Sequence, residues 1–186
     1  MIGNMGSDDH FNYTAMGDEV NVAARLEQAN KAYGTGILIS KETCELVRRN
    51  FAVRELDECV VKGRRNAVLV YELLNRGGLD EERAEGVRMF ELGLDHYRNH
   101  LWQKAIDVLE QARENLHGDS SSDLFIYRCK QFIQFPPAED WDGYVRDSSV
   151  TSVTRVNQLT PPEDLRKESF QSGVDPKEVI QLGKRA

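Results

Sequence analysis

Apolar and polar positions are spaced in three different ways along this chain, and each spacing predicts a different kind of structure. In residues 1–74, short runs of β-branched and aromatic residues are interleaved with helical spacings, which is the order expected of an α/β sandwich. From residue 81 to residue 135 the apolar positions recur at helical spacing throughout. Farther on the apolar content falls, and a bias toward Ser, Thr, Pro and charge predicts disorder. We therefore predict three segments: 1–75, 80–146 and 147–186.

The first segment begins with a strand, a helix and another strand. Residues 13–16 are a candidate strand. Asp18 offers an N-cap oxygen to a helix that runs to about Tyr33 and ends at Gly34. Residues 37–40 are again strand-like.

A capped helix and a hairpin are predicted next. Ser40 is suited to cap a helix over residues 41–50, whose opening turn is acidic, as the helix dipole favours. Residues 51–61 and 67–74 then have the composition of two strands. Because a short turn at 62–66 separates them, they predict a β-hairpin.

The second segment is predicted to be all α, with a break near residues 99–100 and a third helix over 122–135. Small and large apolar residues alternate along it, at Gly93, Trp102, Ala105, Leu109 and Ala112. This spacing resembles that of a tetratricopeptide-like helix pair. Only one such unit is visible, whereas about three are usually needed for an independent solenoid. We therefore expect these helices to pack on the first segment or on a second subunit.

Aromatic and histidine side chains in the second segment each allow two interpretations. Phe90, Tyr97 and Trp102 are suited to the core of a helix pair, which the spacing favours, or to a peptide-binding groove. His96 and His100 stand four positions apart, as two zinc ligands on a helix can. Without a third ligand nearby, we interpret them as surface histidines.

Composition and charge limit the classes of partner. The 186 residues carry a net charge of -7 at pH 7 with both signs intermixed, which argues against nucleic acid or an anionic membrane as the main partner. Cys44, Cys59 and Cys129 are too few and too widely spaced for a disulfide framework or a CxxC metal clip, so a reducing compartment is expected. The sequence has neither a bilayer-spanning apolar run nor a signal-sequence pattern. We expect a cytoplasmic chain without membrane contact of its own.

The most informative stretch is residues 12–27, NYTAMGDEVNVAARLE. Asn21 and Arg25 lie four positions apart, so on a helix they share one face. The neighbouring stripe is apolar and suited to burial against a sheet: Val22, Leu26, Ala29 and Tyr33. Taken alone, the polar pair would be interpreted as a solvated helix face.

This stretch resembles the signature of class III adenylate and guanylate cyclases, a tyrosine strand and a glycine turn followed by Val-Asn-x-Ala-x-Arg on a helix. The resemblance continues in order through Tyr-Gly-Thr at 33–35, Ile-Leu-Ile-Ser at 37–40, Val-Val-Lys-Gly-Arg at 60–64 and Val-Tyr-Glu-Leu at 70–73. It implies an α/β (α+β) fold, a partial ferredoxin-like cyclase domain represented by its C-terminal half. The predicted helical extension and disordered tail follow it.

Matched position by position, the resemblance implies four site residues. The family's transition-state asparagine and arginine correspond to Asn21 and Arg25. Thr14 takes the place of the adenine-selecting residue, and Lys62 that of the phosphate-binding lysine. Because a threonine hydroxyl can accept from the adenine amino group, the resemblance favours ATP over GTP. The parent enzyme would then be an adenylate cyclase that produces 3',5'-cyclic AMP and pyrophosphate for intracellular signalling.

The resemblance also implies a metal requirement that this chain is not expected to meet alone. In the family, two Mg²⁺ or Mn²⁺ ions are held by two aspartates of the N-terminal half of the domain. Asp8, Asp9 and Asp18 are available carboxylates, but the motif assigns none of them to a metal. We therefore expect the isolated chain to be inactive. The parent would act as a head-to-tail homodimer, and the resemblance allows a membrane anchor elsewhere in its sequence.

A second function class stays open at this point. A non-catalytic regulatory or scaffold protein could use a cyclase-like half-domain for dimerisation and the helices for partner binding. The presence of Asn21, Arg25 and Lys62 together favours the enzyme.

Overall fold

The first segment folds into two antiparallel sheets and two helices, and three further helices follow. A computed structural model describes residues 2–7, 10–15, 17–60, 67–138 and 140–141. The elements in chain order are β1 Ile2–Ser7, β2 His10–Ala15, α1 Asp18–Tyr33, β3 Leu38–Ser40, α2 Lys41–Val47, β4 Phe51–Val60, β5 Ala67–Arg76, α3 Glu81–Arg98, α4 Trp102–Asn115 and α5 Ser120–Gln134. This mixture of helices and antiparallel sheet with a helical extension confirms the predicted fold class.

The two sheets differ in how they are built. β1 and β2 pair with each other, and the strand predicted at 13–16 is the end of β2. The other sheet has the strand order β3-β5-β4, so β5 is its central strand. Pairing of β4 with β5, from Phe51 opposite Arg76 to Val60 opposite Ala67, confirms the predicted hairpin. The turn at 62–66 lies outside the described residues.

The ends of α1 are both set by glycine. Gly17, with φ of 149°, is the N-cap, and no side chain caps the helix there. The prediction that Asp18 caps α1 is therefore wrong: because the chain turns at a residue without a Cβ, Asp18 is already the first helical residue. At the other end, Gly34 adopts the left-handed conformation with φ of 66°, which confirms the predicted stop.

The predicted cap of α2 is confirmed, but the predicted length of this helix is wrong. The Ser40 hydroxyl accepts from the Thr43 backbone N–H at 3.4 Å, as predicted. The helix ends at Val47, three residues earlier than expected, because residues 48–50 form a turn into β4. The carbonyl of Asn50 accepts from the Gly77 backbone N–H at 2.7 Å, which ties this turn to the end of β5.

The second segment is all α in its described part, as predicted. The chain breaks between α3 and α4 at Asn99 and His100, where His100 has a φ of 60°. Gly93 lies directly against Leu109, since a Cβ added at Gly93 would be 2.6 Å from the Leu109 Cγ. Asp119 caps α5, whose first residue is Ser120 instead of residue 122. The small and large positions therefore lie at the α3–α4 contact, whereas the tetratricopeptide assignment stays a prediction.

The aromatic residues of the second segment form its core. Phe90 and Tyr97 are almost completely buried, and Tyr97 stacks on Phe132 with ring centroids 5.8 Å apart. Trp141 packs edge-on against Tyr97, which covers the cluster from outside. Core packing is therefore the correct interpretation of Phe90 and Tyr97. His100 is exposed and stacked on a tryptophan ring, whereas His96 is half-buried.

The main hydrophobic core is shared by the two segments. Tyr33, Leu38, Leu56 and Val70 of the first segment belong to the same buried cluster as residues of α3, α4 and α5. The prediction that the helices pack on the first segment is confirmed. A smaller cluster around Phe51 lies between α2 and the sheet.

Buried charges cross the boundary between the segments. Arg54 of β4 donates to Glu72 of β5 at 2.6 and 2.8 Å, and to Asp119, which precedes α5, at 2.6 and 2.9 Å. Its guanidinium also lies 4.4 Å from the centre of the Phe90 ring. Burial alone would lower the pKa of Arg54, but the two carboxylates raise it overall. Arg54 therefore stays charged within the core.

The two carboxylates beside Arg54 respond differently to burial. Burial raises the pKa of Glu72 in spite of the guanidinium beside it. Burial also acts to raise the pKa of Asp119, but Arg54 and hydrogen bonds from Ser122 lower it overall. Asp119 is thus the carboxylate whose negative charge the fold stabilises.

A second buried pair lies beside the first. Arg128 of α5 donates to the Asp57 Oδ2 of β4 at 2.8 Å, and the Tyr33 hydroxyl donates to the same oxygen at 2.8 Å. Burial alone would lower the pKa of Arg128, but the Asp57 charge raises it overall. Two hydrogen bonds to one carboxylate oxygen therefore link α1, β4 and α5.

Three sequence expectations bear on the rest of the chain. Cys44 and Cys129 are free thiols, and burial raises the pKa of Cys129 to about 12. Among the helices that the structure describes, none has both the length and the apolar character to cross a membrane. The predicted disordered tail, 147–186, lies outside the described residues, and the segment boundaries stay predictions.

We expect Arg54→Ala to lower the free energy of unfolding by about 3–5 kcal/mol, because it leaves two carboxylates buried without their cation. Urea denaturation followed by circular dichroism measures the change. Arg88→Ala is the matched control, since Arg88 forms an exposed ion pair with Glu85 and such pairs contribute little. A loss of less than about 1 kcal/mol for Arg54→Ala would contradict the role of this network.

Candidate functional site

The candidate site lies on α1, whose two faces differ as the sequence predicted. Val22 and Tyr33 are buried, and Leu26 and Ala29 pack against the main core. Asn21, which neighbours the buried Val22, is exposed. The apolar stripe thus fixes which way the helix is turned and leaves Asn21 at the edge of the buried face.

The four predicted site residues are described to different extents. Asn21 and Arg25 lie one helical turn apart on α1, about 6 Å along its axis. Thr14 lies in β2, where its backbone pairs opposite Gly3. The side chains of Arg25 and Thr14, and all of Lys62, lie outside the described residues. The roles of the four residues therefore stay predictions.

The amino-terminal end of α1 combines backbone N–H groups with two acidic residues of the first turn, Asp18 and Glu19. The backbone N–H groups of Val20 and Asn21 donate to the Gly17 carbonyl at 3.2 and 3.3 Å, so the helix begins at once after the glycine. The earlier N–H groups of a helix have no partner within it, and with the helix dipole they favour a negative charge. Asp18 and Glu19 in the same turn oppose this field, so the backbone alone does not make an anion site beside Asn21.

A cavity of about 460 Å³ borders the other side of α1. It lies between α1, β3 and α2, and most of its lining is apolar, including Val22, Leu26 and Leu38. Its polar lining consists of Glu27, Asn30, Ser40 and Thr43, with no lysine or arginine among the described lining residues. A carboxylate without a nearby cation disfavours a triphosphate, so the described lining of this cavity does not favour a nucleotide.

A smaller cavity of about 220 Å³ lies between α2, the sheet and α3. Burial raises the pKa of Glu91 and of Tyr71 on its wall, and the charge of Glu55 adds to both effects. Lys41 and Arg48 supply opposite charges. Since three glutamates face these two cations in the lining, the cavity has no excess positive charge suited to a phosphate ligand.

No group of three or more His, Cys, Asp or Glu side chains is placed to hold a metal ion in the described part of the chain. The described residues therefore do not fit the Mg²⁺ or Mn²⁺ pair that the family resemblance implies.

Sequence reasoning missed the buried charges behind α1. The sequence alone assigned no role to Arg54, Asp57 and Arg128. Their hydrogen bonds stabilise the structure around the carboxyl-terminal end of the helix. The spacing of residues along β5 was a signal for Glu72. It lies two positions from both Val70 and Leu74 and therefore shares their buried strand face. For Arg54, Asp57 and Arg128, the spacing of apolar residues in the sequence does not distinguish a buried charge from an exposed one.

Comparison with known proteins identifies a family for the first segment. Residues 1–75 match the family described as the adenylate and guanylate cyclase catalytic domain. The expected resemblance to that family is thereby confirmed for this segment. No solved structure matches the chain.

Three curated relatives are adenylate cyclases. The terminal-differentiation-specific adenylate cyclase of Dictyostelium discoideum is 31% identical over 140 residues, which is 72% of this chain and 6% of that protein. Adenylate cyclase 1 of Rhizobium meliloti (strain 1021) is 40% identical over 74 residues, 40% of this chain and 11% of the relative. The adenylate cyclase of Anabaena cylindrica is 36% identical over 76 residues, 39% of this chain and 15% of the relative. The chain thus spans a small part of each relative.

Proposed function

We propose that residues 1–75 are the C-terminal half of a class III cyclase catalytic domain, in a parent protein that converts ATP to 3',5'-cyclic AMP and pyrophosphate. The observation that carries this proposal is the family match over 1–75, together with the ordered series of motifs inside it. The three adenylate cyclase relatives support the choice of reaction. The orientation of α1 supports it as well, because the predicted apolar stripe is packed against the core while Asn21 beside it is exposed.

Arg25 is proposed to stabilise charge in the transition state. Cyclisation brings the ribose 3'-hydroxyl onto the α-phosphate and expels pyrophosphate, so negative charge shifts among the nonbridging and leaving oxygens. A guanidinium donates to two phosphate oxygens at once. A preorganised donor of this kind is worth about 3 kcal/mol or more in the transition state. The burial of one face of α1 supports this role, since it limits rotation of the helix that carries the arginine.

Asn21 and Lys62 are proposed to hold the substrate on either side of the reacting phosphate. The Asn21 carboxamide is exposed one turn before Arg25, where it can hold the ribose ring so that the hydroxyl lies in line. Lys62 would supply a point charge to the β- and γ-phosphates from the turn between β4 and β5.

Thr14 is proposed to select the base. Its hydroxyl can accept a hydrogen bond from the adenine amino group, although a hydroxyl can also donate to a guanine carbonyl. The choice of base therefore rests on the resemblance, which places the family's adenine-selecting residue at this position, and on the three adenylate cyclase relatives. ATP is accordingly the proposed substrate and GTP the disfavoured one.

The metal ions and the second half of the site are proposed to come from outside this chain. The described residues hold no metal-binding group, so the Mg²⁺ or Mn²⁺ pair would be bound by the N-terminal half of a cyclase domain. When bound, these ions supply charge neutralisation and activation of the attacking hydroxyl. A head-to-tail homodimer of the parent would bring that half to Asn21 and Arg25 of the partner.

The isolated 186-residue chain is expected to produce no cyclic AMP when incubated with ATP and Mn²⁺, because the proposed metal ligands belong to the other half of the domain. An immunoassay measures the cyclic AMP that the purified chain produces. The control is the parent protein, assayed under the same conditions. Robust turnover by the isolated chain would contradict the half-domain assignment, and an inactive parent would favour a regulatory or scaffold role.

Arg25→Ala in the parent protein is expected to lower kcat about 100-fold or more, because it removes a donor used mainly in the transition state. Steady-state cyclic AMP production measures kcat and KM separately. Arg88→Ala, an exposed residue on α3, serves as the control and should leave both values unchanged. Wild-type kcat in Arg25→Ala would remove Arg25 from its proposed role.

Thr14→Val is expected to reduce the preference of the parent for ATP over GTP by about tenfold, because it removes one hydrogen bond and keeps the β-branched shape. The ratio of kcat/KM for the two nucleotides is the measurement. Thr14→Ser keeps the hydroxyl and should retain the preference. An unchanged ratio in Thr14→Val would assign base selection to other residues.

A further inference from the structure

The carboxyl-terminal end of α1 is held by buried groups from two other elements. The Tyr33 hydroxyl donates to the Asp57 Oδ2 of β4 at 2.8 Å. The Ser121 hydroxyl of α5 donates to the Tyr33 backbone carbonyl at 3.1 Å, and both residues are buried. A side-chain and a backbone atom of the last helical residue are thus fixed at once.

The Asp57 carboxylate connects these two contacts through α5. Arg128 of α5 donates to the same Oδ2 that accepts from Tyr33, at 2.8 Å. The Arg128 guanidinium lies 5.0 Å from the centre of the Phe125 ring and 5.8 Å from that of Tyr33. A buried charge pair tolerates little displacement, because separating the charges leaves each without compensation in a low-dielectric core. α5 therefore holds Asp57, and Asp57 holds Tyr33.

Backbone contact adds a third restraint. Gly34 follows Tyr33 in the left-handed conformation, and a Cβ added there would lie 2.4 Å from the Ser120 Cβ. The first residue of α5 thus lies against the C-cap of α1. The space between the two helices has room for glycine alone at this position, so α5 cannot shift toward α1 without displacing it.

The opposite end of α1 has less support among the described residues. Its N-cap is Gly17, which makes no side-chain cap hydrogen bond, and a Cβ at Gly17 would have no neighbour within 4 Å. Arg25 lies about 12 Å and Asn21 about 18 Å from Tyr33 along the helix axis. Because a helix is stiff over such a length, a small tilt at Tyr33 becomes a larger displacement at Asn21. A displacement of about 1 Å in a catalytic group can lower the rate about 100-fold.

We propose that the helical extension positions the catalytic residues of α1. Ser121, Asp57 and Arg128 hold Tyr33 in place. Because Tyr33 ends α1, these contacts also fix the positions of Asn21 and Arg25. The claim that these contacts restrain α1 concerns this chain alone. The effect on catalysis rests on the proposed cyclase function. The similarity to the Dictyostelium discoideum relative supports it, since 140 aligned residues exceed the 75 residues of the family match and extend into the helices. Ser121, Asp57, Arg128 and Tyr33 are positioning residues.

Ser121→Ala and Ser122→Ala form a matched pair that tests this inference. Both serines are buried in the first turn of α5, but the Ser122 hydroxyl donates to Asp119 at 2.6 Å and not to α1. Hydrogen–deuterium exchange of the full 186-residue chain, resolved by peptide, measures protection along α1. Ser121→Ala should exchange about fivefold to tenfold faster in peptides covering 20–35, because α1 loses a restraint and opens more often. Ser122→Ala should leave α1 at the wild-type rate.

Urea denaturation of the same variants measures the free energy of unfolding of the whole chain. It therefore distinguishes faster exchange in α1 alone from a loss of global stability. Tyr33→Phe, which keeps the ring and removes only the hydroxyl bonded to Asp57, provides a second variant with the same expected exchange pattern. If Ser121→Ala and Tyr33→Phe both exchange in α1 no faster than Ser122→Ala, the positioning role is overturned.

Kinetics of the parent protein test the catalytic consequence. Ser121→Ala and Tyr33→Phe should lower kcat about tenfold with KM within about twofold, because misaimed transition-state groups affect turnover more than substrate binding. Ser122→Ala should retain the wild-type kcat. An inactive wild-type parent would reject the proposed function alone, since the exchange results decide the positioning of α1 independently. Altered exchange with unchanged kcat in an active parent would reject the catalytic part of this inference.

Discussion

Charged side chains buried between the sheet and the helical extension are the constraint on which the rest of the structure depends. Arg54 lies between Glu72 and Asp119, and Arg128 lies beside Asp57, so two cations and three carboxylates occupy the core. Such groups cost several kcal/mol each to desolvate and are tolerated only with compensating partners in fixed geometry. Neither segment can bury its own share alone, because the partners of Arg54 and of Asp57 come partly from the other segment. This mutual requirement makes the sheet and the helices one folding unit.

The same contacts link architecture to the proposed chemistry. The hydrophobic core decides which face of α1 is buried, and the Asp57 carboxylate holds the side chain of its last residue, Tyr33. Asn21 is left exposed at the end of the helix where the backbone dipole favours an anion. A proposed phosphate site on an acidic protein of net charge -7 needs no general positive surface, because its proposed cations, Arg25 and Lys62, would act locally.

Much of the local structure was predictable, and the errors occurred where tertiary contacts intervene. Ser40 capping of α2, the stop at Gly34 and the β4–β5 hairpin followed from short-range rules. The N-cap of α1 was assigned to Asp18 because aspartate is a favoured cap, whereas Gly17 occupies that position. The end of α2 was misplaced because residues 48–50 turn to meet the end of β5, a contact that helix propensity does not contain.

The sequence by itself predicted the elements from β2 to α5, the buried face of α1 and the resemblance of residues 1–75 to a family, because each depends on spacing within a short window or on an ordered series of motifs, whereas spacing did not predict β1. Only the tertiary structure decided that Arg54, Asp57 and Arg128 are buried, and that Ser121 reaches the carbonyl of Tyr33 across 88 positions. A charged residue has the same local pattern whether solvent or a partner surrounds it. Its partner is chosen by how distant elements pack, and that choice exists only in the folded chain.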